Sequence, residues 1–471
     1  MKKITLLLSL LLLSTLLNAQ SLTGSWSGTL QIQGTKLRIV FNVSAASSGF
    51  TSTMDSPDQG ARGIPTSTTT ISGNDITIEA PNLGISYKGT FVPDSNIIRG
   101  IFKQGPANLP LTLSKGLEHK VAVAKPAKRA QDPTDFPYKQ EEVSFQNVKA
   151  GNQLSGTLTM PSSGKVSKIV VFISGSGGQN RDEEILPFNH RPFLVWSDWL
   201  TRKSIAVLRY DDRGVGKSTG QQAGATSADF ADDAEAAISY ISQRPDLKGL
   251  SIGFLGHSEG GMIAPMVAVR NPLVKFIVLL AAPGVPISEL MVKQNSESLR
   301  LAGAPDSINV SVSSLNRKIY TAIGTYKTLN AEDFKVKMDT VLYSVIRGDQ
   351  PGNPSPEKIE QLVSQNSKAL NTPWFRYFIA FNPADYLSRV KCPVLAINGT
   401  LDSQVDSEAN LKGIKTSLLK SGNKKFEIVP LPGLNHLLQK ATTGSVKEYV
   451  EISETVNPVA LEKVSDWINK L

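Results

Sequence analysis

A series of short, uninterrupted apolar runs, each ending in a turn and followed by a helical pattern, constrains this chain more than any other feature. Residues 168–174 read Lys-Ile-Val-Val-Phe-Ile-Ser, and comparable runs recur at 205–210, 252–255, 276–280, 394–397 and 426–429. A strand with one solvated face alternates apolar and polar residues. Runs with no alternation belong to strands covered on both faces, which is the environment of a parallel sheet between two layers of helices. Helical patterns fall between the runs, at 193–202, from Thr226 and Ser227 (candidate caps) through Ile238 to Ile241, from Gly260, at 411–419, and through Leu461 and Trp467. The order of elements predicts an α/β protein with a mainly parallel central sheet. The run at 143–145 and the one at 154–160 read as a strand pair ahead of it.

The turn between the strand at 252–255 and the helix from Gly260 reads Gly256-His257-Ser258-Glu259-Gly260. Between a buried strand and a helix, G-x-S-x-G forms a nucleophile elbow, whose glycines let the chain reverse sharply and lift the serine above the sheet edge. A serine hydroxyl needs a base, and the base needs an acid to fix its tautomer. The chain has four histidines. His119 lies in a Pro-containing stretch and His257 inside the elbow. His436 follows the last strand, where this architecture places its base, with His190 the rival. For the acid, the loop after 394–397 offers Asp402, and Asp406 reads as a helix cap or a surface charge. The order Ser258, Asp402, His436 is that of an α/β-hydrolase. Two N–H donors should receive the oxyanion: that of Glu259 at the start of the elbow helix, and one from Gly175-Ser-Gly-Gly178, with Ser176 favoured over Gly177.

Residues 209–220, RYDDRGVGKSTG, imitate the end of a phosphate-binding loop. That loop needs a glycine five positions before its Gly-Lys-Ser, and Asp211 stands there instead. A carboxylate at the mouth of a phosphate nest repels the ligand, so the stretch is expected to bind no nucleotide; it resembles a turn that braces the sheet edge in α/β-hydrolases, and that resemblance implies the same role here.

The rest of the chain frames this unit. The N-terminus, MKKITLLLSLLLLSTLLNAQS, has the layout of a secretory signal peptide with cleavage after Ala19, which predicts an exported protein, periplasmic or extracellular. Residues 20–114 alternate apolar and polar residues in short bursts separated by turn residues, as in a small all-β barrel or sandwich. Residues 115–136 read as a linker. It carries a fair share of the +9 formal charge, but without interleaved aromatics it reads as solvated, and neither nucleic-acid binding nor stable membrane insertion is expected. The hydrolase core is expected at 137–285 and 386–471, with a helical cap insertion at 286–385. There the aromatic cluster Trp374, Phe375, Tyr377 and Phe378 reads as cap core. The single cysteine, Cys392, excludes an intrachain disulfide. No His or Cys cluster has ligand spacing, so no metal or other cofactor is implied.

With these residues in hand, the chain resembles the secreted bacterial α/β-hydrolase esterases grouped with the serine aminopeptidase family, which carry a small β-rich domain before the hydrolase. The resemblance runs through Gly175-Ser-Gly-Gly-Gln-Asn-Arg-Asp-Glu183, Arg209-Tyr-Asp-Asp-Arg-Gly-Val-Gly-Lys-Ser218, Gly256-His-Ser-Glu-Gly-Gly261 and Trp374-Phe-Arg-Tyr-Phe378. It continues in Cys392-Pro-Val-Leu-Ala-Ile-Asn-Gly399 and Leu431-Pro-Gly-Leu-Asn-His436. It implies Ser258 as nucleophile, Asp402 as acid and His436 as base. One departure is Phe381-Asn-Pro383, where related chains tend to carry an acidic residue before the proline. The expected activity is hydrolysis of small-acyl carboxylic esters, with a small-molecule ester as partner. Two alternatives stand beside it. One is an aminopeptidase using Glu183 or Glu184 to hold a substrate ammonium, although both carboxylates read more simply as solvated or paired with Arg181 or Arg191. The other is a non-catalytic binding protein acting through the β-rich unit.

Overall fold

A computed structural model of the chain describes residues 22–32, 35–46, 49–57, 61–80, 84–104, 107–115, 129–162, 166–185, 189–349 and 355–471. The expected signal peptide and His119 lie outside these residues. The chain divides into two compact units, Met1–Ala127 and Lys128–Leu471.

In the first unit, antiparallel strands run in the order β2-β1-β9-β8-β7-β6-β5-β3-β4, and a further β2–β3 pairing closes them into a barrel. Here β1 is Gly24–Ile32, β2 Thr35–Ala46, β3 Gly49–Ser56, β4 Ala61–Pro65, β5 Thr68–Ser72, β6 Asp75–Ala80, β7 Ile85–Val92, β8 Ile97–Gln104 and β9 Ala107–Lys115. The period-2 alternation turns one set of side chains inward, including Trp26, Phe41, Tyr87 and Phe102. Tyr87 can be buried there because its hydroxyl donates to the Ile98 and Leu111 carbonyls, at 3.2 and 3.1 Å. Of the two β architectures read from the sequence, the barrel is the one adopted.

The second unit is built on an eight-stranded sheet of order β10-β11-β13-β12-β14-β15-β16-β17. Its strands are β10 Tyr138–Asn147, β11 Asn152–Pro161, β12 Lys168–Ile173, β13 Ala206–Tyr210, β14 Ser251–His257, β15 Val274–Leu280, β16 Val394–Gly399 and β17 Phe426–Leu431. β10 and β11 form an antiparallel hairpin, β11 meets β13 antiparallel, and every later pairing is parallel. The exchange of β12 and β13 in this order and the helices on both faces are those of the α/β-hydrolase fold. The uninterrupted apolar runs are explained by their two-sided burial. In β12, Ile169, Val171 and Ile173 face one core, while Val170 and Phe172 face the other.

Helices α1 (Pro192–Arg202), α2 (Ser227–Gln243) and α3 (Glu259–Ala268) lie between the early strands. A capping box starts α2: Thr226 and the Asp229 carboxylate satisfy each other's end of the first turn. Between β15 and β16 come α4 (Ile287–Leu301), α5 (Asp306–Tyr326), α6 (Ala331–Asp349), α7 (Pro356–Leu370), α8 (Pro373–Ile379) and α9 (Ala384–Leu387). This helical stretch occupies the region read from the sequence as a cap. At the departure from the resembling family, the Asn382 side chain accepts the Ala384 N–H at 3.1 Å, the capping contact an acidic residue would make. The sheet is completed by α10 (Ser407–Lys420), which Asp406 caps through the Ala409 N–H, and α11 (Pro458–Lys470). No helix among the described residues is long and apolar enough to cross a membrane.

The second unit begins before the expected end of the linker. Gln131 donates to the Val456 carbonyl at 2.7 Å and accepts the Val456 N–H at 2.9 Å, and Arg129 reaches the Glu454 carbonyl at 2.9 Å. Residues 129–132 therefore belong with the hydrolase fold and pin its 452–456 loop.

Candidate active site

β14 ends at His257 and α3 starts at Glu259, so Ser258 is the single residue of the turn. Its backbone stands at φ 52, ψ −116, a region costly for a residue with a Cβ and held only by its surroundings. The flanking glycines are required by close approach. A Cβ on Gly256 would lie 2.2 Å from the Gly260 carbonyl oxygen, and one on Gly260 would lie 2.1 Å from that of Ile173. The Glu259 N–H is the first of α3 and has no intrahelical acceptor, so it points out of the helix beside Ser258.

Asp402 and His436 meet beyond the C-terminal ends of β16 and β17. His436 Nδ1 donates to Asp402 Oδ2 at 2.8 Å, and Asp402 Oδ1 accepts the N–H groups of Gln404 and Val405, each at 2.8 Å. Both side chains are buried. A carboxylate held by three donors fixes both its own orientation and the imidazole tautomer, leaving Nε2 with its lone pair. The His436 ring stands beside the elbow, 4.9 Å between centroids from the ring of His257. Among the described residues no hydrogen bond joins the Ser258 hydroxyl to His436; such contacts are often loose before substrate arrives.

His190 is no rival for the base. It is fully buried, its Nε2 donates to the Thr455 carbonyl at 2.8 Å, and burial pushes its pKa down to about 3.

The loop after β12 is clamped by carboxylates. The Gly175 N–H donates to Glu183 Oε1 at 2.7 Å and so is spoken for. Asp212 accepts from the Ser174 hydroxyl at 3.0 Å and from the Gln179 N–H at 2.9 Å, closing the other end. Between these clamps lie Ser176 and Gly177, exposed, with Gly177 at φ 94. Burial, reinforced by Glu183 and Glu259, pushes the Asp212 pKa up to about 8.

The imitation phosphate loop is a brace. Asp211 Oδ1 accepts the Arg181 N–H at 2.9 Å, and its Oδ2 accepts the Lys217 N–H at 3.1 Å and a guanidinium N–H of Arg181 at 2.9 Å. Arg213 is buried against Asp233 at 2.6 Å, and the Ser218 hydroxyl donates to the Asp211 carbonyl. The position that glycine would need for phosphate is filled by the carboxylate that organises the turn.

Three arrangements here are not readable from the sequence. Glu183 is neither solvated nor paired with an arginine: it is buried and faces His257 Nδ1 at 2.9 Å. Arg181 and Arg191 take other partners, Asp211 and Glu142 for the first and Asp132 for the second. Glu184 receives Asn180 at 3.0 Å. The third is the Glu259 side chain, buried under α8. It accepts from Ser227 at 2.6 Å and from Trp374 Nε1 at 3.0 Å, and burial raises its pKa. Trp374 stacks on Phe378 with centroids 4.8 Å apart, so it is at once part of an aromatic cluster and a direct contact to the residue after Ser258. No sequence spacing signals a contact across 115 positions.

Residues 194–318 match the family described as serine aminopeptidase, S33. Over 325 residues the chain is 27% identical to the esterase EstD of Thermotoga maritima, an alignment covering 68% of this chain and 66% of that one. Over 274 residues it is 25% identical to a bifunctional esterase/perhydrolase of Acinetobacter calcoaceticus, covering 54% of this chain and 86% of that one. Among solved structures, an esterase of Pyrococcus furiosus aligns with a TM-score of 0.43 at 15% identity, over 72% of this chain and 93% of that chain. The strand order gives the second unit the α/β-hydrolase fold, and the sequence matches make it similar to the serine aminopeptidase family and to proteins named esterases.

Proposed function

We propose that the protein is an exported serine esterase acting on carboxylic esters of small acyl groups, with Ser258 as nucleophile, His436 as base and Asp402 as its orienting acid. The observation that carries this reading is the buried Asp402–His436 pair, fixed by the N–H groups of Gln404 and Val405, beside a serine held at φ 52 on a strand-to-helix turn. In the proposed reaction His436 Nε2 takes the hydroxyl proton as Ser258 Oγ attacks the ester carbonyl. The carbonyl oxygen becomes an oxyanion held by the N–H groups of Glu259 and Ser176. Collapse breaks the bond to the alcohol, which leaves with the proton from His436. Water, activated by the same imidazole, then attacks the acyl-serine and restores the enzyme. Each oxyanion donor of this kind contributes about 2.7–4 kcal/mol to the transition state.

Relatives named as esterases support ester over amide substrates, and so does the occupation of Glu183: a carboxylate engaged by Gly175 and His257 is not free to hold a substrate ammonium. Export rests on the N-terminal sequence. The deciding experiment is hydrolysis of p-nitrophenyl esters from acetyl upward by the protein lacking residues 1–19, with aminoacyl p-nitroanilides in parallel and Ser258→Ala as control. Fast turnover of short esters, lost by about a millionfold in the control and absent on anilides, is expected. Preference for the anilides would reassign the enzyme to peptides, and turnover indifferent to Ser258→Ala would sink the mechanism.

A further inference from the structure

Glu183 and His257 lie behind the nucleophile and take no part in the reaction above. Glu183 is 4% exposed and stands in the left-handed region at φ 51, so its placement is maintained against a backbone cost. Its Oε1 accepts the Gly175 N–H at 2.7 Å and faces His257 Nδ1 at 2.9 Å. On the far side of the same buried ring, His257 Nε2 lies 3.2 Å from the carbonyl oxygen of His436. One hydrogen-bonded chain thus joins the oxyanion loop, the residue preceding Ser258 and the backbone of the residue read as base.

The count of protons in that chain is informative. A carbonyl oxygen can only accept, so Nε2 must carry a proton. The contact between Nδ1 and the carboxylate needs another, resident on the ring or on the oxygen. A neutral imidazole beside an ionised carboxylate has only one proton for two contacts, and it would leave two lone pairs facing each other in a dry site. Both contacts are made when the pair holds one proton more; Glu183 Oε1 also accepts the Gly175 N–H, which favours the ionised carboxylate, so that proton is placed on the ring, giving an imidazolium against a carboxylate.

We propose that Glu183 and His257 form a proton-holding dyad that positions the oxyanion loop and the His436 loop relative to the elbow, and that the positioning fails when the dyad loses its proton. The proposal rests on the serine-hydrolase reading, and both are positioning residues, since neither touches the reacting atoms. The groups around the ring come from several elements. Glu183 follows β12, Asp402 and His436 follow β16 and β17, and His190 precedes α1. Asp212, which follows β13, faces Glu183, and on the ring's own element the Glu259 carboxylate is engaged by Ser227 and Trp374. Burial opposes the charged ring, but Glu183, the His436 carbonyl and Asp402 outweigh it, so the His257 pKa is raised. A histidine raised in the folded state keeps its proton above its unfolded value, and its contribution is lost as pH rises through the folded value.

With four histidines in the full sequence, the ring can be observed directly. Nitrogen-15 histidine labelling, with the His257 signals assigned by their loss in His257→Gln, reads its protonation at pH 7.5. The expected result is a doubly protonated ring in the wild type and a singly protonated one in Glu183→Gln. A single neutral tautomer in the wild type would overturn the proposal, and this readout needs no variant to be active. For positioning, the test is the pH profile of kcat on p-nitrophenyl acetate. Glu183→Gln should move the alkaline limb down by about one pH unit or more, with the acid limb in place and KM within about twofold. A loss of kcat equal at every pH would mark Glu183 as merely structural and overturn it. Labelling of wild-type Ser258 by a fluorophosphonate separates the layers. An unlabelled serine would remove the hydrolase reading and the positioning role with it, while the ring's protonation would still be read by resonance alone.

Discussion

Among the described residues, the barrel buries, besides the Tyr87 hydroxyl, the polar side chains of Ser52, Ser56 and Thr69, whereas the second unit buries Glu183, Arg209, Asp211, Arg213, Asp233, His257, Glu259, Asp402 and His436, among others. In the barrel the hydroxyls of Ser52 and Thr69 bond each other at 2.7 Å, and the rest of the interior is one apolar cluster. In the second unit these groups have partners: Arg209 has Asp182, Asp211 has Arg181, Arg213 has Asp233, Glu183 has His257 and Asp402 has His436, while Glu259 is held by the neutral donors Ser227 and Trp374. Burying a charge is costly unless it is paired and hydrogen-bonded, so a fold carries such groups where something other than stability requires them. The difference separates a unit held by packing from one whose interior also holds partnered polar groups, the kind of interior that the proposed reaction needs.

The comparison can be broken in three places. The largest effect is expected from Asp402→Asn, which keeps the shape of the site but allows the wrong imidazole tautomer. Its kcat on p-nitrophenyl acetate should fall by about ten-thousandfold, with the unfolding midpoint little changed. A loss of stability without that loss of rate would make the Asp402–His436 pair structural. Next, Trp26→Ala empties the barrel interior and should cost about 3–5 kcal/mol in the barrel's unfolding transition, followed by hydrogen exchange of peptides from residues 22–115 in urea, since Trp26 is the unit's own tryptophan. Turnover per reactive Ser258 should stay at the wild-type value; a parallel fall in kcat would mean that the hydrolase unit depends on the barrel.

The third effect is a slope. Asp212 binds its proton more tightly folded, at about 8, than unfolded, near the ordinary value of 3.8, so between these values the native state holds more protons than the unfolded one. Stability from this group is therefore greatest below about pH 4 and is lost as pH rises towards 8. Asp212→Asn should flatten the dependence of the unfolding free energy on pH between 5 and 8. An unchanged slope would show that the carboxyl next to Ser174 is ionised throughout.

Much of this architecture is legible along the chain because it is periodic or local. Residues 168–174 declare a strand buried on both faces, the bursts of 20–114 declare a half-buried β unit, and Gly256 to Gly260 declares a tight strand-to-helix turn. These are statements about neighbours in sequence, where the strand period and the reach of a capping side chain set the pattern. Asp402 and His436 could be nominated because strand ends in this fold lie side by side, and the structure brings them to 2.8 Å. Arg129 and Gln131 were grouped with a linker by composition, yet they are bonded to residues more than 300 positions away.

The sequence by itself determined two units of different kinds, a mainly parallel sheet with a serine at its sharpest turn, and an aspartate where a phosphate loop would need glycine. Only the tertiary structure decided that the barrel closes, that Trp374 reaches Glu259, and that Glu183 turns inward to His257 when two arginines stand nearby in sequence. The physical reason is the same in each case. Backbone periodicity is written in adjacent residues, whereas the partner of a buried polar group is whichever donor or acceptor the packed chain leaves within 3 Å. In this chain those partners are 74 and 115 residues apart.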